Sequence, residues 1–152
     1  MIIEKIFISA ERGGLQVDCE RAVLEAGMGI VGDRSFGKNA YPGQSVTLVE
    51  AEEIECFCAE RGRPVDLAMT RRNLVTRGVR LNELVGREFR VGSARLRGVE
   101  LCEPCASLGQ RLADASLAPA EVVRRWVGHG GLLADVLESG IVQPGDELVV
   151  SD

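Results

Sequence analysis

Turn-forming residues constrain this chain most. Glu11-Arg12-Gly13-Gly14, the stretch from Asn39 to Gly43, Gly92-Ser93 and Pro144-Gly145 divide it into short apolar runs. Short runs between such turns favour strands over long helices. Residues 2–9, 15–25, 45–49, 87–91, 94–101, 133–137 and 146–150 read as strands on this basis, with a hairpin turning at Gly92-Ser93. Helical spacing is clearest over 50–61, where Ala51, Ile54, Phe57, Cys58 and Arg61 share a face, Gly62 suits the end and Pro64 prevents continuation. Residues 81–84 read as one helical turn, 106–112 as a short helix, and Pro119 opens a further helix to Val127 that Gly128 closes. A doubly wound parallel sheet needs a helix between successive strands, and the pattern does not supply them. The expectation is one mainly β domain with a few helices, of α+β class and barrel-like, over residues 1–152.

Charge and cysteine content narrow the functions. A net charge of −5 argues against general binding of nucleic acid or of an acidic membrane surface. Glu4 and Lys5 interrupt the apolar start, so it reads as a first strand and not as a signal peptide. Five cysteines with no export signal point to reduced thiols and a cytoplasmic setting. The sequence holds neither a G-x-S-x-G elbow nor a P-loop, and Lys5 and Lys38 are its only lysines, which makes a Schiff-base site improbable.

Two groups of residues carry chemistry. Cys102-Glu103-Pro104-Cys105 follows a strand. Its spacing suits soft-metal or persulfide chemistry, a redox dithiol, or two half-buried structural thiols. Zinc is poorly served, because one such pair offers two ligands where a structural site takes four. Arg71, Arg72 and Asn73, with Arg77 and Arg80 nearby, form the densest basic patch. Guanidinium groups there bind phosphate bidentately or else form a solvated face. Asp33 and Arg34 lie in a Gly-rich loop of the kind that presents backbone N–H groups to an anion. His129 stands alone between glycines and reads as a residue without catalytic duty.

Five segments, GIVGDRSFG (29–37), QSVTLVEAEE (44–53), RRNLVTRGVRLNELVG (71–86), ELCEPC (100–105) and GGLLADVLESGIVQPGD (130–146), together resemble the MOSC family, the C-terminal module of molybdenum-cofactor sulfurases. The resemblance implies a β-barrel with a few helices. It also implies a link to the molybdenum cofactor or to sulfur carried for metal–sulfur centres. It gives Cys105 as the thiolate that ligates molybdenum. Beside it, Cys102 is expected as the accessory thiol, and Arg71, Arg72, Asn73, Asp33, Arg34 and Arg77 as cofactor contacts. The chain departs from the family at Ser35, where many members have His, and at Leu133, where many have Arg.

Three functions follow as expectations. The first is binding of molybdenum cofactor, or of sulfur as a Cys105 persulfide, for delivery to a molybdenum or metal–sulfur enzyme, with a cysteine desulfurase as a further partner. The second is a molybdenum-dependent reductase of N-hydroxylated compounds served by a separate electron-donor protein. The third is a binding module whose cysteines are structural. The reading expects a small stand-alone member, without the pyridoxal-phosphate domain of larger relatives.

Overall fold

The computed structural model describes all residues 1–152. It has eleven strands: β1 (Ile2–Ile8), β2 (Val17–Asp18), β3 (Ala22–Glu25), β4 (Gly29–Ile30), β5 (Val46–Glu50), β6 (Leu74–Arg77), β7 (Glu88–Val91), β8 (Ala94–Leu101), β9 (Leu132–Glu138), β10 (Gly140–Val142) and β11 (Leu148–Val150). Three helices accompany them: α1 (Ala51–Arg61), α2 (Ala106–Leu112) and α3 (Pro119–Trp126), and Leu81–Leu84 forms a 3-10 turn.

Eight strands make one sheet in the order β11-β7-β8-β9-β5-β6-β1-β2, and β10, β3 and β4 make a smaller one. Only β5 and β6 pair in parallel, and α1 is the crossover such a pair requires. The large sheet curls back on itself. Ile3 N donates to Asp146 O at 2.9 Å and Leu148 N to Met1 O at 3.0 Å, which ties the start of β1 to the segment leading into β11. The mainly β, barrel-type architecture expected from the turn spacing is the one observed. The run read as one strand over 15–25 divides at Cys19–Arg21, so that β2 stays with β1 while β3 pairs with β10.

Alternation along the strands builds two cores. Leu48 and Leu74 face the barrel interior with Ile3, Ile6, Phe89, Leu96 and Leu132. Their neighbours Val49 and Val75 face outward into a second core with Ile54, Phe57, Leu108, Val122 and Trp126. Phe57 and Trp126 pack with ring centroids 5.4 Å apart. Gly109 lets α2 and α3 approach closely, because a Cβ there would lie 2.8 Å from the Pro119 carbonyl oxygen. The outer core thus clamps α2 to the barrel and fixes the residue that precedes it, Cys105.

Candidate functional site

The end of β8, the start of β9, the segment leading into β6 and the start of α2 converge. Cys102 follows β8, and its N–H donates to Gly131 O at 2.8 Å. Gly130 lies directly against this strand end: a Cβ on it would overlap the Cys102 carbonyl oxygen. Gly131, at φ 104°, has no room either, since its Cβ would overlap Leu48 O. Two consecutive glycines therefore let one stretch of chain pass β5 and the cysteine segment together.

The two thiols differ. Cys102 is half-buried, and burial pushes its thiol up from the ordinary value more than the charge of Arg72 brings it down. Cys105 is exposed. Its thiol is pulled below the ordinary value, first by the backbone N–H of Leu108, against some desolvation, then by the N–H of Ser107 and the charges of Arg72 and Arg111. Cys105 is the better nucleophile and soft donor for that reason. Residues 102–105 contain neither turn nor bend. Both thiols are free.

Arg72 is held by backbone carbonyls: its Nε donates to Gly130 O at 3.1 Å and its Nη1 to Thr70 O at 3.2 Å. Arg71 adopts φ 59°, the only positive φ outside glycine, and its Nη2 reaches Ser9 Oγ at 3.5 Å. The ion pairs of the protein engage other basic residues, and none of Arg71, Arg72 and Arg111 has a carboxylate within 4.0 Å. Arg71 and Arg72 line a small polar hollow with Arg34, and Arg71 and Arg111 line the hollow beside it. The Arg111 guanidinium is brought below its ordinary value by partial desolvation and then by the like charge of Arg71, with Arg72 adding and the Cys105 thiolate opposing.

Other residues expected at the site are also held by the fold. Asn73 is buried, and its amide is consumed by the fold. Its Oδ1 accepts from Thr47 N and Thr47 Oγ1 at 3.1 Å each, while its Nδ2 donates to Phe7 O at 3.1 Å and faces Asp33 Oδ1 at 3.4 Å. Asp33, also buried, accepts from Ser9 N at 3.1 Å and Ser35 N at 3.2 Å. The pair staples β1, β5 and the Gly-rich loop together, and both residues also line the polar hollow with Arg34, Arg71 and Arg72. The Arg77 guanidinium is taken by Glu4 at 3.1 Å and Glu55 at 2.9 Å. β6 carries it away, since five residues of extended chain span about 16 Å from Arg72. His129 pairs with Glu53 at 2.7 Å.

Ser35 and Leu133, the two departures from the family pattern, line one hollow of about 440 Å³ with Arg34, Lys38, Tyr41 and Glu100. That volume lies within the range of small-molecule sites. Another hollow of about 380 Å³, between Pro42, Arg97 and Asp135, contains no nucleophile. Sequence reasoning missed Arg111. The available signal was only its place on the short helix that follows Cys105. It also missed Thr47, whose partner Asn73 is distant in sequence.

A MOSC domain model matches residues 32–149, and the chain belongs to the MOSC domain family. No curated protein matches it in sequence. Among solved structures it is similar to the YuaD protein from Bacillus subtilis, with 23% identity and a TM-score of 0.83 over 97% of this chain and 93% of that one. It is similar also to YiiM from Geobacillus stearothermophilus, with 17% identity and a TM-score of 0.75 over 99% and 75% of the two chains. YiiM from Escherichia coli gives 19% identity and a TM-score of 0.69 over 100% and 70%. At these identities the likeness shows the fold. No helix is long and apolar enough to cross a membrane.

Proposed function

We propose that this protein binds the molybdenum cofactor, or carries sulfur as a persulfide for a molybdenum or metal–sulfur enzyme, through the Cys105 thiolate. Family membership supports a link to that cofactor or to sulfur chemistry. The observation that carries the reading is an exposed thiol held toward its thiolate form beside Arg72 and Arg111. The donor set fits the cofactor: a soft thiolate suits molybdenum, and guanidinium groups without carboxylate partners suit a phosphate. When bound, the cofactor supplies a thiophilic metal. Of the chain's own residues, Cys105 would hold metal or sulfur, Arg71, Arg72 and Arg111 would supply countercharge, and Arg34 with Lys38 would face an anionic group in the adjoining hollow. Cys102, half-buried and protonated, would tune the neighbouring thiolate without competing for the ligand.

The test is to express the protein in a host that makes the cofactor and to measure bound molybdopterin and cyanide-releasable sulfur. Either one, present in the wild type and lost in Cys105→Ser, supports the reading. Absence of both leaves it without support. Reductase activity toward an N-hydroxylated compound, with an added electron donor, would move the function to catalysis.

A further inference from the structure

Three arginines without carboxylate partners, Arg71, Arg72 and Arg111, stand on the segments that meet at the cysteine segment. Arg71 and Arg72 share one hollow, and Arg71 and Arg111 share the next. Arg72 is tied to Gly130, which lies against the Cys102 carbonyl and close to Pro104 N, so its guanidinium stands beside the cysteine segment. Arg111 projects from the helix that Cys105 begins. The nearby carboxylates are turned to backbone donors: Asp33 accepts from Ser9 N at 3.1 Å, Asp66 Oδ1 from Ala68 N at 3.0 Å, and Glu103 Oε1 from Gly128 N at 3.0 Å. Glu100 lines the hollow on the other side, with Leu133. Asp33 lines the first hollow and Asp66 the second, yet neither lies within 4.0 Å of these guanidinium groups, whose donors stay open beside an exposed nucleophile. A small dianion with several acceptor oxygens suits those open donors, since guanidinium groups bind such oxygens in pairs.

We propose that Arg71, Arg72 and Arg111 form an oxyanion subsite through which Cys105 is loaded from a sulfane-sulfur dianion, thiosulfate being the simplest. This rests on the sulfur-carrier branch of the proposed function and names its donor. The Cys105 thiolate attacks the outer sulfur of thiosulfate. A sulfur–sulfur bond forms to Cys105 while the donor's sulfur–sulfur bond breaks, and the electron pair of that bond leaves with sulfite. One thiolate and one thiosulfate give one persulfide anion and one sulfite, with charge conserved and no further oxidant, reductant or proton. The guanidinium groups hold the three oxygens that depart as sulfite, so they favour both binding and departure.

The experiment incubates the reduced full chain with thiosulfate and follows sulfite release together with the mass gain of one sulfur on the Cys105 peptide. Loading that saturates with thiosulfate is expected. In Arg111→Gln it should fall about ten- to hundredfold, the loss of one charge-assisted contact. Alkylation of Cys105 by uncharged iodoacetamide should fall far less, and Arg111→Lys should recover part of the loading. Equal losses of loading and alkylation would mean that Arg111 acts on the thiol and not on the donor, which overturns the subsite. Loading by inorganic polysulfide but not by thiosulfate also overturns it and leaves the carrier reading standing. If neither donor loads Cys105, both the subsite and the carrier reading fail.

Discussion

Arg72 donates its Nε to the carbonyl oxygen of Gly130 at 3.1 Å, and Gly130 lies directly against the carbonyl of Cys102. The guanidinium is therefore positioned by backbone and keeps its charge for the thiols. Gly130→Ala should drive a methyl group into Cys102 O, displacing both the strand end and Arg72. Overpacking of this kind costs about 1–3 kcal/mol. A thermal melt should show that loss, and Cys105 alkylation near neutral pH should slow with it. A variant with unchanged stability and unchanged Cys105 reactivity would contradict the linkage.

Asn73 separates scaffold from ligand contact. Asn73→Ala would leave Thr47 N–H and Phe7 O without buried partners, at about 1–3 kcal/mol for each unsatisfied group. Asn73→Asp should be worse at neutral pH, because a carboxylate would replace the amide that faces Asp33 Oδ1 and Phe7 O. Denaturant unfolding measures both. If Asn73→Ala kept its stability but lost ligand or sulfur, Asn73 would belong to the binding surface after all.

The thiols should separate by pH. The Cys105 value is lowered, so its alkylation rate should rise and level off below the ordinary thiol range. The Cys102 value is raised by burial, so its rate should rise only above that range. The sign for folding follows from the same shift. A depressed value makes ionised Cys105 stabilising above the unfolded value, and this is lost as pH falls through the folded one. Mass spectrometry of peptides after timed labelling reads each thiol separately, and coincident profiles would remove the asymmetry.

Glu50 gives an independent check on burial. Its carboxyl accepts from Leu81 N at 3.1 Å, yet burial pushes it above the usual carboxylate range, with the Leu81 N–H and Arg80 offsetting only part. Ionisation thus costs more in the folded state. The associated stability is present below the unfolded value and lost as pH rises through the raised one. Glu50→Gln keeps an acceptor for Leu81 and should flatten the melting temperature across that window, with the variant more stable above it. Parallel pH dependence in both proteins would refute this.

Much of this architecture was legible because turn chemistry is local. Gly62 ends α1 in the left-handed conformation, and Pro119 opens α3. The two-residue β4 and the three-residue β10 were not read, because strands so short carry no alternation and exist through each other and β3. Within the site, the cysteine segment and the Arg71-Arg72 pair were legible as chemistry. The scaffold bonds of Asn73 and Asp33 and the ion pairs of Arg77 were not legible, because their partners Thr47, Ser9, Glu4 and Glu55 are distant in sequence. Arg111 stayed hidden because only the packing of α2 against the barrel turns a basic residue on a short helix toward Cys105.

The most direct test of the central claim compares wild type, Cys105→Ser and Cys102→Ser purified from a cofactor-competent host. Each is first shown to fold by thermal melt, then assayed for bound molybdopterin and cyanide-releasable sulfur. Serine is a far harder and less acidic ligand than cysteine. The expected result is loss of cofactor or sulfur in Cys105→Ser and only a reduction in Cys102→Ser. Equal amounts in the wild type and Cys105→Ser would contradict the claim that this thiolate is the centre of the protein's chemistry.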